Sequence, residues 1–413
     1  MIFRWLTALI SLGFAAVASA ETLAYNDIAK PPHNYWQRTP QDRFTRLKGA
    51  LESGRITLNH TSEKGFVQSL LKALDVPASS QMLVFSTTSL QLRFISPRNP
   101  RALYFNEDTH VGWVPGGKIE IVSLDPELGG IYYIMDIPRD GRPPQADRSG
   151  KCMNCHQSTD TENVPGILIK SVVPADGGGT LDAMRQGQSG HSVPFDKRFG
   201  GWHVTGSIGI AEMWGNVIGS TNAGTLSKQV IKPGDYFNFK TYLAPTSDIL
   251  PQLLHEHQAG FVNRVVNASY HARSFLFEDK GRLSTEHAGE LDKIASELTR
   301  YILFADEVPL PAGGVEGDAI YKSDFLRTCR TTKNGQSLRD FDLRTRMFRV
   351  RCSYMIYSNV FQGLPKDLKQ RVYRRIGEAC NAEKPDAEYD YLPSDEKAQI
   401  LAILRETLTA AER

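Results

Sequence analysis

The chain has 413 residues, of which 41% are hydrophobic and 23% are charged, and its formal net charge is +2. This even balance argues against a nucleic-acid partner or an anionic membrane surface as the main target. After the N-terminal segment the sequence contains no apolar run of about 18 residues, so we expect no stable membrane insertion. The length suggests about two or three domain-sized units.

The first segment, MIFRWLTALISLGFAAVASA, has the organisation of a secretory signal peptide. Arg4 provides the positive charge, a short apolar run follows, and the small residues ASA form a cleavage site. The apolar run is too short to span a membrane as a helix. We therefore expect residues 1–20 to be removed near Ala20 and the mature protein to be located in the periplasm.

Residues 21–145 combine helical and strand patterns. The segment TPQDRFTRLKGALESG predicts a helix with Thr39 as its N-cap and Gly54 at its end, and SEKGFVQSLLKALD predicts a second helix. The hydrophobic period then changes to two in RALYFNEDTHVGWVPGGKIEIVSLDPELGGIYYIMDIP, where Gly and Pro separate the runs. This change predicts an antiparallel sheet.

The segment SGKCMNCHQS places Cys152 and Cys155 one helical turn apart, and His156 follows directly. Each thiol can add to a haem vinyl group and form a thioether, and the histidine can then bind the iron as its proximal ligand. The pattern predicts one covalent haem c, held by Cys152 and Cys155 with His156 on the iron.

Three other interpretations of CMNCH are weaker. A thioredoxin-like redox pair follows a strand, but PPQADRSGK before the motif has the composition of a loop. A zinc site needs a second ligand pair, and a disulfide across two intervening residues is strained. The other three cysteines are far apart in the chain, and in an oxidising compartment we expect one disulfide among them, with the pairing left open. They are Cys329, Cys352 and Cys380.

We assign residues 146–245 to a haem-attachment region with a strand in GILIKSVVP and a Gly-rich loop in SGHSVPFDKRFGGWHVTGSIG. Residues 246–413 are mainly helical, with two long amphipathic helices, a short β-like segment FRVRCSYMIYS and two closing helices near 365–380 and 393–410. The predicted fold is α+β, with N-terminal helices and an antiparallel sheet, a central haem motif and a helical C-terminal half. We expect the haem at the junction of these regions.

The second axial ligand of the iron decides between a closed electron-transfer haem and an open reactive one. His257 is the first candidate, because it shares a helix face with His271 on a polar stripe. The other candidates, each of which is also compatible with a purely structural role, are Met184, Met213, His191 and His203.

Several phrases occur together in this chain: RALYFNEDTHVGWVPGG, CMNCHQ, VPG, GGWHVTG, EHQ and RCSYMIYS. With them the chain resembles a family of exported bacterial monohaem cytochrome c domain-containing proteins of unassigned function, over most of its mature length. The resemblance implies roles for His191 and for Glu256 with His257. It weakens a role for His203, where the family has an aromatic residue. Cys352 matches a family phrase, whereas Cys329 and Cys380 do not.

Two functions are compatible with these sequence features. The first is electron transfer through the haem to a periplasmic redox partner protein. The alternative is a haem-dependent oxidoreductase, peroxidase- or oxygenase-like, with an open or displaceable distal site and a small-molecule substrate. In that case His191 or His257 would act as an acid or base with Glu256 as its partner. A haem-based sensor is a third, weaker possibility.

Overall fold

The computed structural model describes residues 27–184, 190–206, 213–410 and 412. The predicted signal peptide, residues 1–20, lies outside these ranges. Within them the chain folds into nine α-helices, one seven-stranded antiparallel sheet and two two-stranded sheets, so the predicted α+β class is confirmed.

Two helices precede the sheet, α1 (Arg43–Glu52) and α2 (Glu63–Ala73). The N-cap of α1 is Asp42, whose carboxylate accepts the backbone N–H of Thr45 at 3.0 Å and its hydroxyl at 2.6 Å. The prediction of Thr39 as this N-cap is wrong, because Asp42 stands one residue before the helix and its carboxylate caps the free N–H groups. Ser62 caps α2 in the same way.

The strands, in chain order, are β1 (Met82–Val84), β2 (Arg101–Phe105), β3 (Thr109–Trp113), β4 (Ile119–Asp125), β5 (Gly129–Met135), β6 (Ala146–Arg148), β7 (Ser171–Pro174), β8 (Thr180–Met184), β9 (Trp202–His203), β10 (Val217–Asn222) and β11 (Thr225–Val230). The main sheet has the order β6-β5-β4-β3-β2-β1-β9, and every neighbouring pair is antiparallel. Pairs β7–β8 and β10–β11 form the two small sheets.

The two faces of the main sheet differ in burial. On the first face the side chains of Ala102, Val111, Ile121 and Tyr133 are buried, and Tyr133 packs on Phe44 of α1 with ring centroids 4.7 Å apart. Because side chains alternate along a strand, the residues between them lie on the second face. Several of these remain half-buried; they are Arg101, Leu103, Glu120, Val122 and Ile134.

The remaining helices are α3 (Met153–His156), α4 (Ile249–Glu278), α5 (Thr285–Ile302), α6 (Ala319–Leu326), α7 (Asn359–Gln362), α8 (Lys366–Ala379) and α9 (Ser394–Thr407). Helix α4 is 30 residues long and crosses part of the second face. Its His255 packs on Phe105 of β2, and the hydroxyl of its Tyr270 donates to the Leu128 carbonyl at 3.0 Å beside β5.

The segment FRVRCSYMIYS does not form the predicted strand. Residues Tyr354–Tyr357 form a 3₁₀ helix, which begins where the Ser353 hydroxyl accepts the backbone N–H of Met355 at 3.2 Å. A serine in this position favours a helical turn over extended backbone.

All five cysteines are free thiols in the structure, so the expected disulfide is not formed. Cys352 and Cys380 are buried, and burial, with a smaller contribution from the nearby Cys380, holds the pKa of Cys352 well above its ordinary value. Cys329 is only partly buried.

One continuous hydrophobic core connects the three sequence regions. It includes Ile28 and Leu74 from the N-terminal region, Ile167 from the motif region, and Val262 and Leu408 from the helical region. No helix in the described part of the chain is both long and apolar enough to span a membrane.

Candidate functional site

The CMNCH motif folds into a short helical turn. A 3₁₀ turn over Gly150–Cys152 leads into α3, so the two cysteines lie one turn apart. Met153, between them, is buried in the main core and anchors this turn. Cys152 is partly buried and Cys155 is exposed, so both sulfur atoms sit at the border between the core and the surface.

His156 is oriented by a backbone carbonyl. Its Nδ1 lies 3.0 Å from the carbonyl oxygen of Gly166. Because a carbonyl only accepts hydrogen bonds, Nδ1 carries the proton and Nε2 carries the lone pair. Nε2 forms no hydrogen bond with any described residue, and burial lowers the pKa of His156, which keeps its imidazole neutral. A neutral imidazole with a free Nε2 is the form that binds a metal ion.

Two distant residues hold the carbonyl segment in place. The Tyr132 hydroxyl of β5 donates to the same Gly166 carbonyl at 2.7 Å. The Asn263 amide of α4 accepts from the Ile167 N–H at 2.8 Å and donates to the Ile167 carbonyl at 3.0 Å. A Cβ atom on Gly166 would lie 2.3 Å from Asn263 Oδ1, so only glycine fits here. The sequence by itself predicts no role for Tyr132, Asn263 or Gly166. The phrase VPG shortly after the motif, which contains Gly166, was the sequence signal that could have indicated this segment.

One row of side chains on the second face of the main sheet leads to His156. The strand register places Phe105, His110, Val122 and Tyr132 in one row across β2 to β5. Val122 is half-buried, whereas the other three are at most 6% exposed. The ring of Tyr132 contacts that of His156 with centroids 4.7 Å apart. Val122 is therefore the more accessible position of this row, with His110 on one side of it and Tyr132, which contacts His156, on the other.

The neighbouring row on the same face consists of Leu103, Gly112, Glu120 and Ile134. Gly112 contributes no side chain, and the other three are half-buried. We call the surface formed by Leu103, Gly112, Val122 and Ile134 the open face; its side chains are apolar.

An ion pair lies at the edge of the open face. Arg101 Nη1 is 2.6 Å from Glu120 Oε2, and both side chains are less than one-fifth exposed. After burial, which has the largest effect, both residues act on the pKa of His156, Arg101 lowering it and Glu120 raising it. Burial also raises the pKa of Cys152, and Glu120 adds to that increase. The motif and the ion pair therefore occupy the same region of the molecule.

The structure brings the predicted residues His191 and His257 into contact. Their Nδ1 atoms are 3.0 Å apart, and His257 Nε2 lies 2.8 Å from the Ser353 hydroxyl. Both ring nitrogens of His257 are thus occupied, and its side chain is fully buried. To bind iron, His257 would have to break one of these two contacts, so its role as the distal ligand stays a prediction.

Glu256 belongs to the same buried cluster. Its Oε2 lies 3.3 Å from Arg198 Nη1, and burial nevertheless raises the pKa of Glu256 to about 7. His191 and His257 stack on Phe304, on the side of α4 opposite to His255. Residues two positions apart on a helix point in nearly opposite directions, so this cluster faces away from the main sheet.

The other predicted ligands are separated from one another. His203 is fully buried on the first face of the main sheet, next to Phe85 and Phe237. Met213 is partly buried against the main core. Met184 is the last residue of β8, and the placement of its side chain lies outside the described part of the structure.

Among the described residues, no three His, Cys, Asp or Glu side chains are grouped to hold a metal ion. A haem iron takes at most two protein ligands, so this finding does not bear on the motif. Comparison with known proteins finds no matching family model, no matching curated protein and no matching solved structure.

Proposed function

We propose that the chain is an exported monohaem c-type cytochrome that transfers electrons in the periplasm. Cys152 and Cys155 would hold haem c through thioethers, and His156 would bind its iron. The observation that carries the proposal is the hydrogen bond from His156 Nδ1 to the Gly166 carbonyl, which leaves Nε2 free beside the open face. Metal-binding histidines commonly donate their other ring nitrogen to a carbonyl in this way.

The residues around the motif fit a flat apolar group. Half-buried Leu103, Val122 and Ile134 offer apolar surface that would exclude water from one side of a porphyrin. The bound haem would supply one-electron chemistry between Fe(III) and Fe(II). Tyr132 and Asn263 would keep the His156 ring in one orientation, because both fix the Gly166–Ile167 backbone.

Electron transfer to a periplasmic redox partner is preferred over the oxidoreductase alternative. An enzyme of that kind needs an acid or base next to the distal side of the iron. The predicted acid–base residues His191, Glu256 and His257 are engaged with each other or with Arg198 and Ser353, in a cluster that faces away from the main sheet. None of these three predicted acid–base residues is therefore placed at the open face to act on a small-molecule substrate.

The test is production of the full chain in a bacterial host that matures c-type cytochromes. We expect a coloured protein whose pigment stays attached in denaturing electrophoresis and gives a pyridine haemochrome spectrum of the thioether type. The double variant Cys152→Ala/Cys155→Ala should lose the covalent pigment, because no thioether can form.

Cys329→Ala is the matched control, because Cys329 is partly buried like Cys152 but lies outside the motif. It should retain the pigment in full. A colourless wild-type protein, or a pigment that survives in the double variant, would refute the proposal.

A further inference from the structure

His110 is a buried histidine for which the sequence predicts no role. Its side chain is 6% exposed, and neither Nδ1 nor Nε2 has a hydrogen-bond partner among the described residues. A buried polar atom without a partner costs about 1–3 kcal/mol. Such a group in a native protein calls for an explanation, and a missing ligand is one of the usual ones.

The position of His110 is defined by the strand register. His110 on β3 is paired with Val122 on β4, and Val122 is paired with Tyr132 on β5. Adjacent strands are about 4.8 Å apart, so His110 and Tyr132 lie about 10 Å apart across the sheet. The His156 ring packs against Tyr132. The two histidines therefore stand on either side of the accessible surface above Val122.

Helix α4 closes one end of this space. His255 contacts the His110 ring with centroids 5.1 Å apart, and Asn263 holds the segment that orients His156. Ala259 lies between them on the same helix stripe, at intervals of four residues. Ala259 is fully buried in the main core, and its methyl group is the only side chain that this helix stripe places between His255 and Asn263.

We infer that His110 supplies the second axial ligand of the iron, opposite to His156, so that the haem is six-coordinate with two histidines. This inference rests on the proposed function. The Phe105 ring stacks on the His110 ring with centroids 5.9 Å apart, which limits where the imidazole can turn.

His110 is favoured over His255 as this ligand by its place in the row that leads to Tyr132. The electrostatics agree with that placement. Burial is the main cause that lowers the pKa of both histidines; His255 and then His156 lower the pKa of His110 further, whereas Arg101 is the group that further lowers the pKa of His255.

A strong second ligand produces a closed haem suited to electron transfer. The wild-type protein should accordingly have a low-spin ferric absorption spectrum. It should lack the near-infrared charge-transfer band of methionine ligation, and its ferrous form should bind carbon monoxide slowly or not at all.

The test compares His110→Gly with His255→Gly. His110→Gly should become high-spin and bind carbon monoxide promptly, and added imidazole should restore the low-spin spectrum by occupying the vacated position. His255→Gly should keep the low-spin spectrum without imidazole. Rescue by imidazole would not be expected if His110 had only a structural role.

Each outcome bears on the inference. A methionine band or a high-spin spectrum in the wild-type protein overturns it before any variant is made, even if His110→Gly fails to fold. A low-spin spectrum that persists in His110→Gly also overturns it. Retention of the pigment in denaturing electrophoresis separates these results from failure of the proposed function, which would remove the pigment altogether.

Discussion

At the scale of single residues, two neighbouring tyrosines of β5 provide a test of how the hydrogen bond to the Gly166 carbonyl affects the His156 imidazole. The Tyr132 hydroxyl donates to the Gly166 carbonyl at 2.7 Å, and His156 Nδ1 donates to the same oxygen. Tyr132→Phe should lower the free energy of unfolding by about 1 kcal/mol, since one hydrogen bond is lost and the carbonyl keeps another. The carbonyl should then accept more strongly from His156, which makes the imidazole more electron-rich and should make the midpoint potential of the proposed haem more negative.

The control for this prediction is Tyr133→Phe. The Tyr133 hydroxyl bonds to Asp42 at 2.8 Å on the first face of the sheet, so its loss should also reduce stability. It should leave the midpoint potential unchanged, because Tyr133 has no contact with the His156–Gly166 pair. Redox titration of both variants decides the matter, and equal potential shifts would contradict the assignment of Tyr132.

The buried His203 should make the free energy of unfolding depend on pH. Burial lowers its pKa from 6.5 to about 3, against a smaller opposing effect of Asn216. Below pH 6.5 the unfolded chain therefore binds a proton that the folded chain does not, and stability falls as the pH decreases towards 3. At pH 5 this contribution is about 2 kcal/mol, since each pKa unit corresponds to about 1.4 kcal/mol.

His203→Phe should remove that contribution. The new ring would lie between Phe85 and Phe237, which already contact the imidazole. The stability difference between wild type and variant, measured by urea unfolding, should shift by about 2 kcal/mol in favour of the variant between pH 8 and pH 5. A difference that is the same at both pH values would show that His203 is not responsible.

At the scale of secondary structure, two glycines in hairpin turns allow the stability cost of backbone strain to be distinguished from the cost of steric overlap. Gly116 and Gly129 both have left-handed backbone, with φ of 80° and 74°. A Cβ on Gly116 would meet nothing within 4 Å, whereas one on Gly129 would lie 2.6 Å from the Pro165 carbonyl and 2.7 Å from Val266 Cγ1. The β4–β5 turn therefore touches both the segment that orients His156 and helix α4.

We expect Gly116→Ala to cost about 1–2 kcal/mol of stability, which is the strain of left-handed backbone alone. Gly129→Ala should cost about 1–3 kcal/mol more, because it adds overpacking. Chemical denaturation of the two variants measures the difference directly. Equal losses of stability in the two variants would mean that α4 and the Pro165 segment shift to accommodate the added methyl group.

The elements themselves were largely predictable. The 3.6-residue period predicted the two long helices that appear as α4 and α5, and the two-residue period with its Gly and Pro turns predicted the strands β2 to β5. The errors occurred where a short-range hydrogen bond competes with the hydrophobic pattern. Asp42 instead of Thr39 caps α1, and Ser353 turns a β-like segment into a 3₁₀ helix.

At the scale of the whole molecule, the single hydrophobic core predicts cooperative unfolding. Helix α4 connects the N-terminal region, the motif region and the helical region. Its His255 packs on Phe105 of β2, and its Asn263 bonds to Ile167 in the motif region. Its His257 carbonyl accepts from the Tyr301 hydroxyl of α5 at 2.9 Å. Far-UV circular dichroism, tryptophan fluorescence and, in the coloured protein, haem absorbance should report one transition at the same midpoint. Two separated midpoints would indicate that the N-terminal and helical regions unfold independently.

The sequence alone determined what depends on near neighbours. Helix caps, hydrophobic periods and the thiol–thiol–imidazole spacing of CMNCH act within a few residues, and the chain order fixes them. Only the tertiary structure decided which carbonyl orients His156 and which side chains lie near it. Asn263 of α4 holds the segment with the Gly166 carbonyl, and strand register places His110 in the row that leads to Tyr132 and His156. Such arrangements depend on residues far apart in the chain. His255 and His257 illustrate this, because the helical period separates their directions but only packing determines which one faces the sheet.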